Sequence, residues 1–141
     1  MLEIPKKLRA TVKRRLKEEY FAWFTTVGSD LAPQPRPIWF IWDAARGSFL
    51  IYSQPHAHKV RHLEKHPHVA LHFNADAVGE NDLLVFIGIA EIDLEAPPAY
   101  KVRAFVNKYR DGLARLNSTP EEMSREYSVA IRVTPTSVRV G

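Results

Sequence analysis

The run at residues 83–92 constrains the fold most, because it is apolar at both alternating sets of positions. Its β-branched and aromatic side chains favour an extended strand, in which successive side chains point to opposite faces. A strand that is apolar on both faces must be covered on both sides. A chain of 141 residues is expected to form one domain with a single core. The second face is therefore most simply explained by a partner subunit.

Further runs rich in β-branched and aromatic residues predict an antiparallel sheet. Strands are expected at 20–27, 38–42, 49–53, 69–73, 127–133 and 137–140, and short helices at 56–66, 97–109 and 120–125. Pro33, Pro35 and Pro37 precede the second strand, and because proline donates no backbone hydrogen bond they predict an edge or an irregular strand entry. The chain is therefore predicted to be mainly β, with five to seven antiparallel strands in a small barrel and helices at its periphery.

The positive charge of the chain is confined to its first residues. The formal net charge is +4, and residues 1–19 hold seven Lys and Arg against three Glu. Leu8, Val12 and Leu16 are spaced by four and predict an amphipathic helix there. Residues 20–141 carry no net charge, so they offer no basic surface for nucleic acid. The expected organisation is a basic helix at 1–19 followed by one domain at 20–141.

The absence of cysteine excludes disulfides, thiolate metal sites and cysteine nucleophiles. No apolar run resembles a signal peptide or a membrane span, so a cytoplasmic protein without membrane attachment is expected. Phosphate-binding glycine loops and the Gly-x-Ser-x-Gly nucleophile motif are also missing, and no catalytic side chain can be assigned. If the protein is an enzyme, a bound cofactor is expected to carry its chemistry.

A group of anion-binding residue types follows the strand at 49–53. Ser53 ends this strand, and Lys59 and Arg61 lie at the start of the next predicted helix. A hydroxyl group, two cations and the free amides of a helix N-terminus suit a phosphate. The same cations also suit an ordinary solvated helix, and spacing alone does not separate the two interpretations.

The segment from Pro33 to Phe40 begins with the three interrupting prolines and ends with two aromatic residues. A strand entry broken by proline leaves backbone carbonyls and amides without partners in the sheet, and these groups can meet the polar edge of a planar heterocycle. Trp39 or Phe40 would supply a flat apolar wall beside it. An aromatic core strand at an irregular edge is the alternative interpretation.

All six histidines lie between His56 and His72. His58, His62 and His66 are spaced by four and would share one helix face, an arrangement that can bind a metal or haem. No carboxylate stands at the spacing that would complete a three-ligand site, so no metal is assigned. A solvated helix face is the simpler interpretation.

The order of these pieces resembles the pyridoxamine 5′-phosphate oxidase-like split-barrel superfamily, most closely its small branch of coenzyme F-420-dependent oxidoreductases. The matching segments are Trp23-Phe24-Thr25-Thr26-Val27-Gly28, Pro37-Ile38-Trp39-Phe40, Tyr52-Ser53, Lys59-Val60-Arg61-His62-Leu63 and His66-Pro67-His68-Val69-Ala70-Leu71. The resemblance covers roughly residues 20–140. It implies a six-stranded antiparallel split β-barrel that forms a homodimer with cofactor sites at the subunit interface.

The resemblance also implies a cofactor and its site. The cofactor would be FMN or coenzyme F-420 (a deazaflavin), which transfers hydride to a small unsaturated substrate. Ser53, Lys59 and Arg61 would bind its phosphate, Asn74 would be a further contact, and the ring would be lined by Arg36, Pro37, Ile38 and Trp39. The alternative is a haem- or tetrapyrrole-binding barrel, or a non-catalytic flavin carrier, that uses the histidines between His56 and His72.

Overall fold

The computed structural model describes residues 2–79 and 81–141. The strands are β1 (Ala22–Val27), β2 (Pro33–Ile38), β3 (Ile41–Asp43), β4 (Ser48–Ser53), β5 (His68–His72), β6 (Leu84–Ile92) and β7 (Val129–Val140). The α-helices are α1 (Arg9–Glu18), α2 (His58–Lys65), α3 (Arg103–Arg115) and α4 (Pro120–Glu126), and short 3-10 helices lie at Lys6–Leu8 and Ala99–Lys101. None of the helices in the described ranges is long and apolar enough to cross a membrane.

The seven strands form one antiparallel sheet of order β2-β1-β5-β6-β7-β4-β3. Its edge strands, β2 and β3, are joined by only Trp39 and Phe40. A flat sheet of seven strands would hold its edges about 29 Å apart, whereas three Cα steps span at most about 11 Å. The sheet must therefore curl until its edges meet, which confirms the predicted split barrel. It has seven strands rather than six because the chain is interrupted at Trp39 and Phe40: β2, before the break, pairs with β1, and β3, after it, pairs with β4.

Two strand boundaries differ from the prediction. Pro33, Pro35 and Pro37 lie within β2, an edge strand that pairs with β1 alone, and the strand expected at 38–42 is interrupted. The two strands expected at the C-terminal end are one continuous strand, β7. Its pairing with β6 shifts register between Ile87 and Gly88, which accommodates the proline of β7.

Apolar clusters lie on both sides of the curled sheet. The main cluster fills the inside of the curl and includes Phe24, Ile51 and Phe86. The second cluster lies on the outer face of β4, where Leu50, Tyr52 and neighbouring side chains pack against α3 and α4. These helices shield only one part of the outer face of the sheet.

The basic N-terminal helix packs against the barrel. Val12 and Leu16 of α1 are buried in the main cluster, as the spacing by four predicts. Arg15 donates hydrogen bonds to the carbonyl oxygens of Asn74 and Asp82, at 2.9 and 2.6 Å. The helix is thus joined to the barrel by both apolar and polar contacts.

Half of the side chains in the apolar run at 83–92 lie on the outer face of β6, away from the main cluster. Leu84, Phe86 and Ala90 are buried on the inner face. On the outer face Val85 and Ile89 are only partly buried and Ile87 is 39% exposed. In the single chain this face stays accessible. The partner subunit expected to cover it therefore remains a prediction.

Candidate functional site

Helix α2 is positioned by one buried leucine and one hydrogen bond to the sheet. Leu63 is 6% exposed and belongs to the main cluster. His62 directly precedes Leu63 in the helix, and its Nδ1 atom lies 2.9 Å from the Oγ1 atom of the buried Thr26 in β1. These two contacts fix the helix against β1 and thereby fix the direction of the cations at its N-terminal end.

Two cations that were predicted as cofactor contacts interact through their charges. Lys59 of α2 is half-buried, and burial lowers the pKa of its amine below the ordinary value. The positive charge of Arg36 in β2 lowers that pKa further. No salt bridge in residues 2–79 and 81–141 joins either side chain to a carboxylate. Two neighbouring cations without an acidic partner fit an anionic ligand, because an anion would relieve their repulsion.

The other two predicted phosphate contacts have local partners. Ser53 is 1% exposed, and its hydroxyl donates to the carbonyl oxygen of Gln54 at 3.1 Å. Arg61 is exposed, and its Nη2 lies 3.1 Å from Nδ1 of His58. No hydrogen bond within the described part of the chain connects either of them to Arg36 or Lys59.

The residues predicted to line a cofactor ring point in different directions. Arg36 and Ile38 pair with Phe24 and Ala22, on the inner face of the sheet, and Ile38 is buried there. Pro37 is exposed and pairs with Trp23. Trp39 lies outside the strand and stacks on Tyr109 of α3, with ring centroids 4.3 Å apart and planes inclined by 7°. One face of the indole is therefore already covered by the protein.

The free edge of β2 offers hydrogen-bond acceptors without backbone donors. In an antiparallel pair, alternate residues turn both their N–H and their C=O groups toward the partner strand. Because prolines cannot donate, the residues turned toward β1 are Gln34 and Arg36, together with Ile38 at the strand end. The carbonyls of Pro33, Pro35 and Pro37 point outward and are called the proline edge below. Within β2 this edge therefore carries the expected free carbonyls but no free amides.

Asn74, the remaining predicted contact, lines a different depression. Its side-chain oxygen accepts a hydrogen bond from Nε1 of Trp23 at 3.2 Å. It borders a cleft of about 500 Å³ between α1 and the loop before β6. The lining residues are Arg14, Arg15, Glu18, Glu19, Tyr20, Asn74, Ala75 and Asp82, so Arg36, Ser53, Lys59 and Arg61 are not among them.

The histidines of α2 have separate roles. The rings of His58 and His62 lie 6.2 Å apart between centroids, and His62 is bonded to Thr26. No group of three or more His, Asp or Glu in residues 2–79 and 81–141 could hold a metal ion. The role of Thr26 was not predicted from the sequence. The alternation of β1 places this one hydroxyl on the strand's inner face, which is otherwise apolar, and that pattern could have indicated a buried hydrogen bond.

The position of His62 predicts a pH-dependent stability. Burial lowers the pKa of His62, as do the nearby His58, Arg61 and His66, whereas Asp30 opposes the shift. Between this lowered pKa and the ordinary value of 6.5, the unfolded chain binds more protons, so stability falls as pH falls. In urea titrations we expect His62→Gln to reduce this pH slope below pH 7, and to reduce it more than His56→Gln, the control at an exposed position. Equal slopes for wild type and His62→Gln would contradict the assignment.

Several solved structures share this fold. A Listeria innocua protein provisionally assigned as a pyridoxamine 5′-phosphate oxidase is 22% identical, with 94% of this chain and 97% of that chain covered and a TM-score of 0.69. An F420 reductase is 21% identical, with 90% and 94% covered and a TM-score of 0.66. The heme storage protein HutZ of Vibrio cholerae is 16% identical, with 94% of both chains covered and a TM-score of 0.66.

No match to a curated protein was found. The family model for pyridoxamine 5′-phosphate oxidase matches residues 8–140, which include α1 and the entire barrel. All seven strands of the curled antiparallel sheet lie within the matched residues. The chain therefore belongs to the pyridoxamine 5′-phosphate oxidase family.

Proposed function

We propose that this protein binds FMN or coenzyme F-420 through its phosphate group and acts as an oxidoreductase on a small-molecule substrate. The observation that carries the proposal is the half-buried Lys59, whose pKa is lowered by burial and by the charge of Arg36 and which has no salt bridge in residues 2–79 and 81–141. Membership of the pyridoxamine 5′-phosphate oxidase family supports it, as does the likeness to an F420 reductase. When bound, either cofactor supplies hydride transfer, chemistry for which the side chains alone offer no group.

The residues present fit a phosphate. Lys59 and Arg36 would hold it by charge, and Arg61 would join them by turning from His58. Ser53 would take part through its hydroxyl, which is now bonded to a backbone carbonyl. The half-buried position of Lys59 excludes part of the surrounding water, so its attraction to an anion is stronger than that of an exposed lysine.

Replacement of Lys59 by methionine tests this proposal. Hydrogen bonds to charged groups contribute about 1.5–3 kcal/mol, so we expect Lys59→Met to weaken cofactor binding by about 10- to 100-fold. Fluorescence titration with FMN and, separately, with F-420 measures the affinity. The matched control is Lys65→Met, which removes an exposed lysine from the last turn of the same helix. The proposal fails if neither cofactor binds, or if the two variants lose affinity equally.

A homodimer is proposed for the outer face of the sheet. Ile87 occupies its centre, with Ala70 of β5 directly opposite and Thr25 of β1 opposite Ala70. We expect light scattering to give twice the mass of one chain for the wild type, and a monomer for Ile87→Glu, because burial of an unpaired carboxylate is unfavourable. Leu94→Glu, at a leucine that is 92% exposed, should remain dimeric. A monomeric wild type would exclude this assembly.

Tetrapyrrole binding is the second candidate, because the fold is shared with a heme storage protein and α2 exposes His58. The absorption spectrum of the freshly purified protein separates the candidates. A Soret band that is lost in His58→Ala would favour haem, and absorption near 450 nm or near 420 nm would favour a flavin or a deazaflavin (approximate chromophore values).

A further inference from the structure

The exposed side of α1 carries a dense group of cations. Helical conformation runs without interruption over residues 6–18, and Val12 and Leu16 turn one side of this segment into the main cluster. The cations on its other sides are all exposed and are called the basic face below: Lys6, Lys7, Arg9, Lys13, Arg14 and Lys17. In residues 2–79 and 81–141, none of them forms a salt bridge with a carboxylate.

Ala10 lies at the centre of the basic face. On the surface of a helix, the neighbours of a residue are those three and four positions away. For Ala10 these neighbours are the exposed cations Lys6, Lys7, Lys13 and Arg14. The methyl group of alanine is small and is itself exposed, so a phosphate group can approach the helix closely between the surrounding cations.

This arrangement is unfavourable for the helix itself. Arg9, Lys13 and Lys17 follow one another at intervals of four, where like charges repel. The first turn of α1 has no acidic residue, although the positive end of the helix dipole favours one there. Local helix stability therefore does not explain the basic face, whereas an anionic partner would relieve its repulsion.

The shape and composition of the basic face favour duplex DNA among polyanions. It has no large apolar side chain to insert into a lipid surface, because Val12 and Leu16 are buried in the main cluster. Helix α1 has no aromatic side chain on which unpaired bases could stack. A helix about 10–12 Å across fits the major groove of B-DNA, which is about 12 Å wide, whereas the major groove of duplex RNA is too narrow.

We propose that the basic face of α1 binds the phosphate backbone of duplex DNA, with the helix directed into the major groove. This binding surface is separate from the proposed cofactor site, whose residues lie in β2, β4 and α2. Residues 20–141 carry no net charge, so the attraction would come from α1. Contacts to phosphates fix a protein on the duplex without reading its bases. We therefore expect binding that depends little on base sequence.

The salt dependence of DNA binding tests the proposal. Fluorescence anisotropy of a labelled duplex of about 20 base pairs measures the affinity of the full chain, starting at about 50 mM salt. If each of the four cations around Ala10 neutralises one phosphate, the logarithm of the binding constant falls with the logarithm of salt concentration with a slope of about −3.6. Affinity should then fall about 12-fold for each doubling of salt.

A pair of double variants separates the basic face from net charge. Lys13→Gln with Arg14→Gln removes two of the four cations, and we expect its slope to fall to about −1.8 and its affinity at low salt to fall at least about tenfold. Arg103→Gln with Arg115→Gln removes the same charge from exposed positions of α3 and should keep the wild-type slope. Thermal unfolding shows whether each variant retains its fold.

Three results would overturn the proposal. The first is a wild-type protein that does not bind the duplex at the lowest salt concentration. The second is an equal loss of affinity in the two double variants, which would mean that net charge alone causes the binding. The third is equal or tighter binding, per phosphate group, to duplex RNA or to phosphatidylglycerol vesicles, which would assign the basic face to another polyanion.

Discussion

Replacement of Arg132 by leucine is expected to lower the free energy of unfolding by about 3 kcal/mol. Arg132 of β7 is 5% exposed, and its guanidinium donates to Asp93 at 2.9 Å and to Asp43 and Ser48 at 3.1 Å each. These bonds hold the pKa of Asp93 below its ordinary value, with nearby Arg46 contributing less. Leucine would fill the space but leave both carboxylates without their main partner.

Arg46 provides the control for this prediction. It also pairs with Asp93, at 3.4 Å, but its side chain is 57% exposed. Exposed ion pairs contribute about 0–1 kcal/mol, so Arg46→Leu should change stability far less than Arg132→Leu. Urea denaturation of the three proteins at neutral pH measures the difference. Equal losses for the two variants would show that burial does not determine the strength of this network.

Substitution of Gly88 by alanine is expected to cost about 3 kcal/mol or more, which is severe for one added methyl group. A Cβ atom at this position would lie 2.5 Å from the carbonyl oxygen of Thr134 and 3.1 Å from Cα of Pro135. Both are backbone atoms of the paired strand, so they cannot move aside as a flexible side chain can. The substitution would force β6 and β7 apart where their register shifts.

Gly141→Ala is the matched control for Gly88→Ala. Its Cβ would meet the side chain of Leu83 at 3.8 Å, an ordinary van der Waals contact. We expect urea denaturation to show nearly wild-type stability for Gly141→Ala and a clear loss for Gly88→Ala. A Gly88→Ala protein as stable as the control would mean that the two strands separate at little cost.

The fold could be predicted from the sequence where local pattern determines it. The run at 83–92 and the spacing of Val12 and Leu16 depend only on period and polarity; the first predicted a strand and the second the buried face of α1, and the structure has both. The helix at 58–65 was predicted because its cations and histidines lie between two apolar strands. These are short-range properties that neighbouring residues already carry.

The site depends on contacts between distant residues, which the sequence could not supply. Trp39 was expected to face a ligand, but its stacking partner Tyr109 lies 70 positions later. The bond between Thr26 and His62 joins residues 36 positions apart. The effect of the Arg36 charge on the pKa of Lys59 likewise requires the position of α2 over β1, which tertiary packing determines. Residue types therefore predicted a phosphate site, and it stays a prediction because no contact between the described residues joins all of its members.

The two edges of the sheet also affect how the protein avoids aggregation. A strand from another molecule can add to an edge only if donors and acceptors alternate along it. The proline edge presents acceptors alone, and the opposite edge, β3, is three residues long. Both edges are thus poor templates for strand addition, so uncontrolled sheet growth is disfavoured even at high protein concentration. The proposed homodimer uses the outer face of the sheet instead, where side chains rather than backbone groups would decide the partner.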